Sequence, residues 1–228
     1  MWFFDLDDTL HDAHAMFRAI DRRMTDFVQH HLRLDREAAD ALRESYWRRY
    51  GATLLGLVRH HGIDAGRFLR ETHDFDVVAL LRAERGLRQL GRQLLGRKVL
   101  LTNAPDHYAG RVLRGIGLHR HIRTRYAVES MRVHGHYRPK PSVSMLRAML
   151  VREGLGGRTS ASRAVLVDDN ARNLKAARAA GFATVLVRRR AASGLRRLTG
   201  HSFISARIAS VRQLPGMVAR LGGRASGR

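Results

Sequence analysis

The sequence predicts an α/β fold: a doubly wound parallel sheet with an all-helical domain inserted after its first strand. Three observations predict it. The chain opens on Met1–Phe4, a wholly apolar run that ends in acids. From about Asp12 to Leu95 the apolar residues keep helical spacing. Beyond Lys98, short apolar runs alternate with amphipathic segments, the pattern of strands and helices in a parallel sheet.

Taken in order, Met1–Phe4 has the continuous apolar character of a strand buried on both faces, delivering polar residues from its C-terminal end. Phe17, Ile20, Met24, Phe27, Val28 and Leu32 mark a first helix. Ala41, Leu42, Tyr46 and Trp47 mark a second, and Leu54, Leu55, Leu57 and Val58 a third. Gly51, Gly62, Gly86 and Gly91 fall where helix ends are expected, and no strand is expected in this stretch. Further strands are predicted at Lys98–Leu101, Tyr126–Val128, Ala164–Val167 and Ala183–Val187, with a weaker one at Phe203–Ala206. The helices between them are His107–Ile116, Val143–Glu153 and Ala171–Ala180, the last stopped by Gly181, and a final helix is expected from about Leu214. The expected division is a core of residues 1–11 and 96–221, a helical cap domain of residues 12–95 and a basic tail of residues 222–228.

Composition narrows the chemistry. The 228 residues are 44% hydrophobic, enough for one ordinary core and a smaller accessory domain. With no Cys, disulfides, thiolate metal sites and cysteine nucleophiles are excluded. No apolar run approaches the ~20 residues that span a bilayer. Acids from the fifth residue argue against a secretory signal, so a cytoplasmic protein that makes no membrane contact is expected. The formal charge of +22 invites a polyanion-binding reading. All but three of the 42 Lys and Arg are Arg, however, which points to an Arg-favouring genome as much as to a selected surface. No acid follows Asp169, and no recognition motif accompanies the basic C-terminal segment, so specific nucleic-acid binding is not expected.

Ligands of a parallel α/β sheet bind at the carboxyl ends of its strands. Four polar clusters fall there or in the loops beyond: Asp5-Leu6-Asp7-Asp8-Thr9, Thr102-Asn103, Lys140, and Asp168-Asp169. Asp5, Asp7, Asp168 and Asp169 converging on one point would repel unless a cation lay between them, and oxygen-only ligands beside a phosphate favour Mg²⁺. Thr102 offers a hydroxyl and Asn103 a backbone N–H to a phosphoryl oxygen. Lys140, between Pro139 and Pro141 in a chain that otherwise uses Arg, supplies a compact positive charge in a confined position.

This combination resembles the haloacid dehalogenase-like hydrolase superfamily, whose four motifs are DxDxT, a strand-end Ser or Thr, a Lys and an acidic pair. Phe4–Leu10, Leu100–Ala104, Arg138–Pro141 and Leu166–Asn170 match them in order, and the helical insert is similar to the cap of the first subclass. The resemblance implies that Asp5 is a nucleophile forming an aspartyl-phosphate and that Asp7 is its general acid and base. It further implies that Thr102, Asn103 and Lys140 bind phosphate, that Mg²⁺ is the cofactor, and that the cap closes over the site. Dehalogenases of the superfamily lack the second carboxylate of the first motif; Asp7 is present, so phosphate-ester hydrolysis is expected. The run from Tyr46 to Asp64, with His11 after the first motif, most resembles the pyrimidine 5′-nucleotidase group. It implies a pyrimidine nucleoside 5′-monophosphate as substrate, with His11, Tyr46 and Tyr50 as candidate contacts, the tyrosines serving equally well as packing residues. A phosphatase of sugar or organic-acid phosphates and a polyanion-binding protein stand as alternatives, and the oligomeric state is left open.

Overall fold

The apolar opening segment forms the middle of a sheet. In the computed structural model, which describes residues 1–157, 163–188 and 202–217, β1 (Trp2–Phe4) is buried along its whole length. The elements that follow are β2 (His11–Asp12), α1 (His14–Leu32), α2 (Arg36–Tyr50), α3 (Thr53–His61), α4 (Ala65–His73), α5 (Val77–Leu80), β3 (Arg82–Ala83) and α6 (Leu87–Gln93). Next come β4 (Lys98–Leu101), α7 (Asp106–Gly115), β5 (Thr124–Tyr126), β6 (Arg132–Val133), β7 (His136–Tyr137) and α8 (Val143–Arg152). β8 (Val165–Asp168), α9 (Ala171–Ala180), β9 (Ala183–Val187) and β10 (Ala206–Ile208) complete the described chain, with 3₁₀ turns at Val211–Gln213 and Pro215–Met217.

Six strands make one parallel sheet in the order β10-β9-β8-β1-β4-β5. This is the doubly wound α/β architecture expected from the alternating pattern. Phe3, Val99, Leu101 and Leu166 pack with Met145, Met149, Leu174 and Phe182 in its core, where Phe3 and Phe182 meet edge to face at 5.2 Å.

By its internal contacts the chain divides into two compact units, residues 1–12 with 82–228, and residues 13–81. The second unit is all helical. Asp35, Asp64 and Asp76 accept backbone N–H groups at the starts of α2, α4 and α5, and Gly51 and Gly62 adopt the left-handed conformation that ends α2 and α3. Phe27 of α1 meets Phe68 of α4 edge to face at 5.1 Å. No helix among the described residues is long and apolar enough to cross a membrane.

Several local expectations need correction. The helical unit ends at Leu81, and residues 82–95, placed with it from sequence, belong to the first unit. There α6 buries Leu87 and Leu90 and packs on the turn at Val211–Gln213. Gly91 lies inside α6 because His121 occupies the space its Cβ would take. A two-residue ladder, β2 with β3, lies in the stretch expected to hold no strand, and β6 with β7 forms a hairpin. The strand expected at Tyr126–Val128 runs from Thr124 to Tyr126, and the last strand lies at Ala206–Ile208 rather than Phe203–Ala206. Leu214 opens no α-helix among the described residues, and the tail expected at 222–228 lies outside them.

Candidate active site

Strand register assembles the site. Phe4 pairs with Leu100 of β4 and with Val167 of β8, so Asp5, Leu101 and Asp168 are level at the carboxyl edge and Thr102 lies one residue beyond. Asp5 continues β1 there, its N–H donating to Val167 O at 2.9 Å. Thr102 follows β4, its N–H donating to Tyr126 O at 3.0 Å, and Asp168 is the last residue of β8. Asp5 is 8%, Lys140 3% and Asp168 0% exposed, so their charges interact with little screening by water.

Lys140 bridges two of the acids. Its Nζ donates to Asp5 Oδ1 at 2.6 Å and to Asp168 Oδ2 at 2.8 Å. Its backbone is held by the Asn103 side chain, whose Nδ2 donates to Lys140 O at 3.0 Å and whose Oδ1 accepts Lys140 N–H at 2.9 Å. Asn103 thereby fixes the approach of the ammonium, a use of the residue that its expected backbone N–H role did not include. Thr102 Oγ1 accepts Ala104 N–H at 3.1 Å, a bond that uses an oxygen lone pair and not the hydroxyl proton. Asn173 of α9 donates to both oxygens of Asp168 at 3.1 Å, and Thr9 Oγ1 lies 3.3 Å from Asp5 Oδ2 and 3.4 Å from Asp169 Oδ1.

Asp5, Asp168 and Asp169 each place a carboxylate oxygen within 4.8 Å of the others. Burial pushes the Asp5 carboxyl well above its ordinary value; Asp168 and Asp169 add to the rise, and Lys140 opposes it without prevailing. Burial, followed by the charges of Asp168 and Asp8, likewise pushes Asp169 up to about 7. Burial alone would lower the Lys140 ammonium, but Asp168 and Asp5 raise it above its ordinary value. With all three carboxylates ionised, they exceed the one ammonium by two charges among the described residues. A divalent cation matches that excess, and an all-oxygen donor set fits a hard ion such as Mg²⁺.

Asp7 was expected among these ligands, but its carboxylate is not part of that group of three. Its Oδ1 takes a 2.8 Å bond from Tyr108 OH and lies 2.9 Å from His11 Nε2. Burial, reinforced by Asp7, raises Tyr108 far above the ordinary phenol value, so it acts as a donor. His11 Nδ1 faces the Asp12 carbonyl oxygen at 3.2 Å. His11 was read from sequence as a substrate contact. It is instead fully buried, with its Nε2 committed to Asp7.

Tyr46 and Tyr50 lie in the helical unit, at the packing of α2 on α3. Their hydroxyls bond His61 Nε2 at 2.7 Å and His60 Nε2 at 2.6 Å, and the Tyr46 ring fills the space that a Cβ on Gly56 would need. Packing is therefore one observed role of both. Thr9, Tyr108 and Asn173 were not singled out from sequence. Thr9 closes the first motif and Asn173 lies one helical turn beyond the acidic pair, so position could have marked both; nothing local marks Tyr108.

Comparison with known proteins agrees with this geometry. The sequence profile of the haloacid dehalogenase-like hydrolases matches residues 2–181. Phosphate metabolism protein 8 of Saccharomyces cerevisiae is 24% identical over 199 residues, covering 82% of this chain and 60% of that protein. The chain thus spans about 60% of the length of this curated relative. The HAD phosphatase of Thermococcus onnurineus superposes with a TM-score of 0.63 at 16% identity, over 95% of this chain and 96% of that one. The 2-haloacid dehalogenase of Pseudomonas syringae gives 0.59 at 19%, over 96% and 97%. YfnB of Bacillus subtilis, whose structure holds magnesium, gives 0.58 at 15%, over 95% and 97%. At these identities the superpositions speak for the fold alone, while the profile spans most of the chain and all four motifs. The protein with this site is a member of the haloacid dehalogenase-like hydrolase family.

Proposed function

We propose that the protein is a Mg²⁺-dependent phosphomonoester hydrolase that works through an aspartyl-phosphate on Asp5, and that its substrate is a pyrimidine nucleoside 5′-monophosphate. The observation that carries the hydrolase reading is Lys140 Nζ lodged between Asp5 and Asp168 beside the carboxylate trio. That arrangement provides a buried nucleophile, a fixed cation for the phosphoryl oxygens and a seat for a divalent ion.

Asp5, Asp168 and Asp169 would hold Mg²⁺, which when bound neutralises charge on the phosphoryl group and keeps Asp5 ionised. Asp5 attacks phosphorus in line with the departing oxygen, while Lys140 and the Thr102 hydroxyl take up negative charge on the equatorial oxygens. Asp7 gives a proton to the departing alkoxide, then takes one from the water that hydrolyses the acyl-phosphate. Asn173 keeps Asp168 turned inward, and Asn103 keeps Lys140 in place.

All these groups address phosphate, metal or proton. The reading of the leaving group falls to other residues, and the resemblance of the helical unit to the pyrimidine 5′-nucleotidase group supports a nucleotide. The engagement of Tyr46 and Tyr50 with His61 and His60 favours a second substrate class, sugar or organic-acid phosphates, because a side chain packed in the helical unit is less free to stack on a base. Initial rates with Mg²⁺ on UMP, CMP, AMP, GMP and a set of sugar phosphates decide the matter. UMP or CMP should exceed the purine nucleotides in kcat/KM by about tenfold or more, equivalent to ~1.4 kcal/mol. A sugar phosphate ranked first would replace the nucleotide reading.

A further inference from the structure

Asp7 sits in the turn beyond β1, where the chain reverses through Asp8 at a positive φ of 55°. A carboxylate on so short a stem rotates between staggered positions unless something selects one of them. Two side chains do so. Tyr108 OH and His11 Nε2 both meet the same oxygen, Oδ1, at 2.8 and 2.9 Å.

Both are rigidly mounted. Tyr108 is fully buried in the first turns of α7, whose Ala109, Val112 and Leu113 lie in the core. His11 is fully buried in β2, where its backbone pairs with Ala83 of β3. Packing alone does not require these residue types. A Phe at 108 would fill nearly the same space without a hydroxyl needing a partner, and an apolar residue at 11 would avoid burying an imidazole. Convergence of two such groups on one oxygen of one carboxylate calls for an explanation in terms of that carboxylate.

We propose that Tyr108 and His11 are positioning residues for Asp7, pinning Oδ1 so that Oδ2 is the oxygen that passes a proton to the departing alkoxide. This rests on the reading of Asp7 as general acid. It adds which oxygen does the work and which side chains, both from the sheet-bearing unit, aim it. Loss of the aim matters in proportion to the leaving group's need for a proton. An alkoxide, as in UMP or glycerol 2-phosphate, cannot leave without one; p-nitrophenolate can.

The test compares kcat/KM for UMP or glycerol 2-phosphate with that for p-nitrophenyl phosphate, in wild type and in Tyr108→Phe, with Mg²⁺ present. This constant reports binding and the first half-reaction, so effects on hydrolysis of the acyl-phosphate do not enter. Tyr108→Phe should lose about tenfold or more on the alkyl ester and no more than about threefold on the aryl ester. A second comparison uses His11→Gln, which keeps an N–H donor, and His11→Leu, which does not. The alkyl-to-aryl ratio should fall further in Leu than in Gln. Equal losses on both esters, or no loss on either, with an active wild type would overturn the positioning role alone. A wild-type protein that cleaves neither ester would overturn the phosphatase reading and this proposal with it.

Discussion

Lys140 and Arg43 each hold two carboxylates, one in each compact unit, and their surroundings differ. The Lys140 side chain is 1% exposed and its partners Asp5 and Asp168 are 11% and 0% exposed. Arg43 is 14% exposed, but its partners Asp21 and Asp40 are 66% and 49% exposed, and both bonds are 2.8 Å long. Arg43 ties α1 to α2 with charges that water still reaches, the kind of contact worth under ~1 kcal/mol. Lys140 stands among charges that water does not reach, where losing one partner of an ion pair costs ~3–5 kcal/mol because the other stays buried. The two carboxylates around Arg43 exceed its one positive charge, but water screens that excess. That around Lys140 gathers three carboxylates about one ammonium where water screens Asp5 and Asp168 little.

The comparison is tested most severely at Asp5. Asp5→Asn removes one of the unbalanced negative charges and the proposed nucleophile together, while Lys140 keeps Asp168. Turnover should fall by about 10⁴-fold or more. Burial already disfavours the ionised form of Asp5, so the melting temperature measured without Mg²⁺ should not fall. A folded Asp5→Asn protein with near wild-type rates would remove both the mechanism and the contrast.

A smaller effect is expected at Lys140. Arg keeps the charge but is longer and planar, and the side chain here is enclosed, its backbone held by Asn103. Lys140→Arg should cost about a hundredfold in kcat, the scale of losing one fixed charge-stabilising group. Wild-type rates would mean that Lys140 acts as a diffuse charge, as Arg43 does.

The same contrast explains what the sequence discloses. Asp5, Thr102 and Asp168 are legible because each directly follows or ends a short apolar run, and parallel register brings such positions to one edge. Lys140 stands out through its flanking prolines and its rarity in an Arg-rich chain. Tyr108 gives no such signal: it meets Asp7 across 101 residues, through the helical phase of α7. His11 can be noticed, but only the fold shows that it faces Asp7 and is closed to solvent. The hairpin of β6 and β7 turns on His134-Gly135, both at positive φ, a weak signal flanked by strands too short for periodicity. In the helical unit, helix spacing reveals the helices, but not that Tyr46 rests where Gly56 leaves room.

The smallest expected effect lies at Asp40, one of the two exposed partners of Arg43, and it is read by pH. The Thr25 hydroxyl at 2.5 Å, helped by Arg43 and Arg36, holds the Asp40 carboxyl below its ordinary value against the opposing effect of burial. An acid whose folded-state value is depressed adds stability above its unfolded value of about 3.9 and loses it as pH falls through the folded value. Wild type should therefore melt above Asp40→Asn at pH 7 by about 3 °C or less, the range for an exposed pair in a chain of this size. The gap should hold down to about pH 5 and close progressively below about pH 4.5 as Asp40 takes up its proton. Thermal melts of both proteins across that range measure it. A gap independent of pH would show that the substituted amide disturbs packing, and that the tie between α1 and α2 does not depend on the carboxylate charge. A gap several times larger would mean that the arrangement is shielded from water as Lys140 is, and the distinction between the two cations would fail.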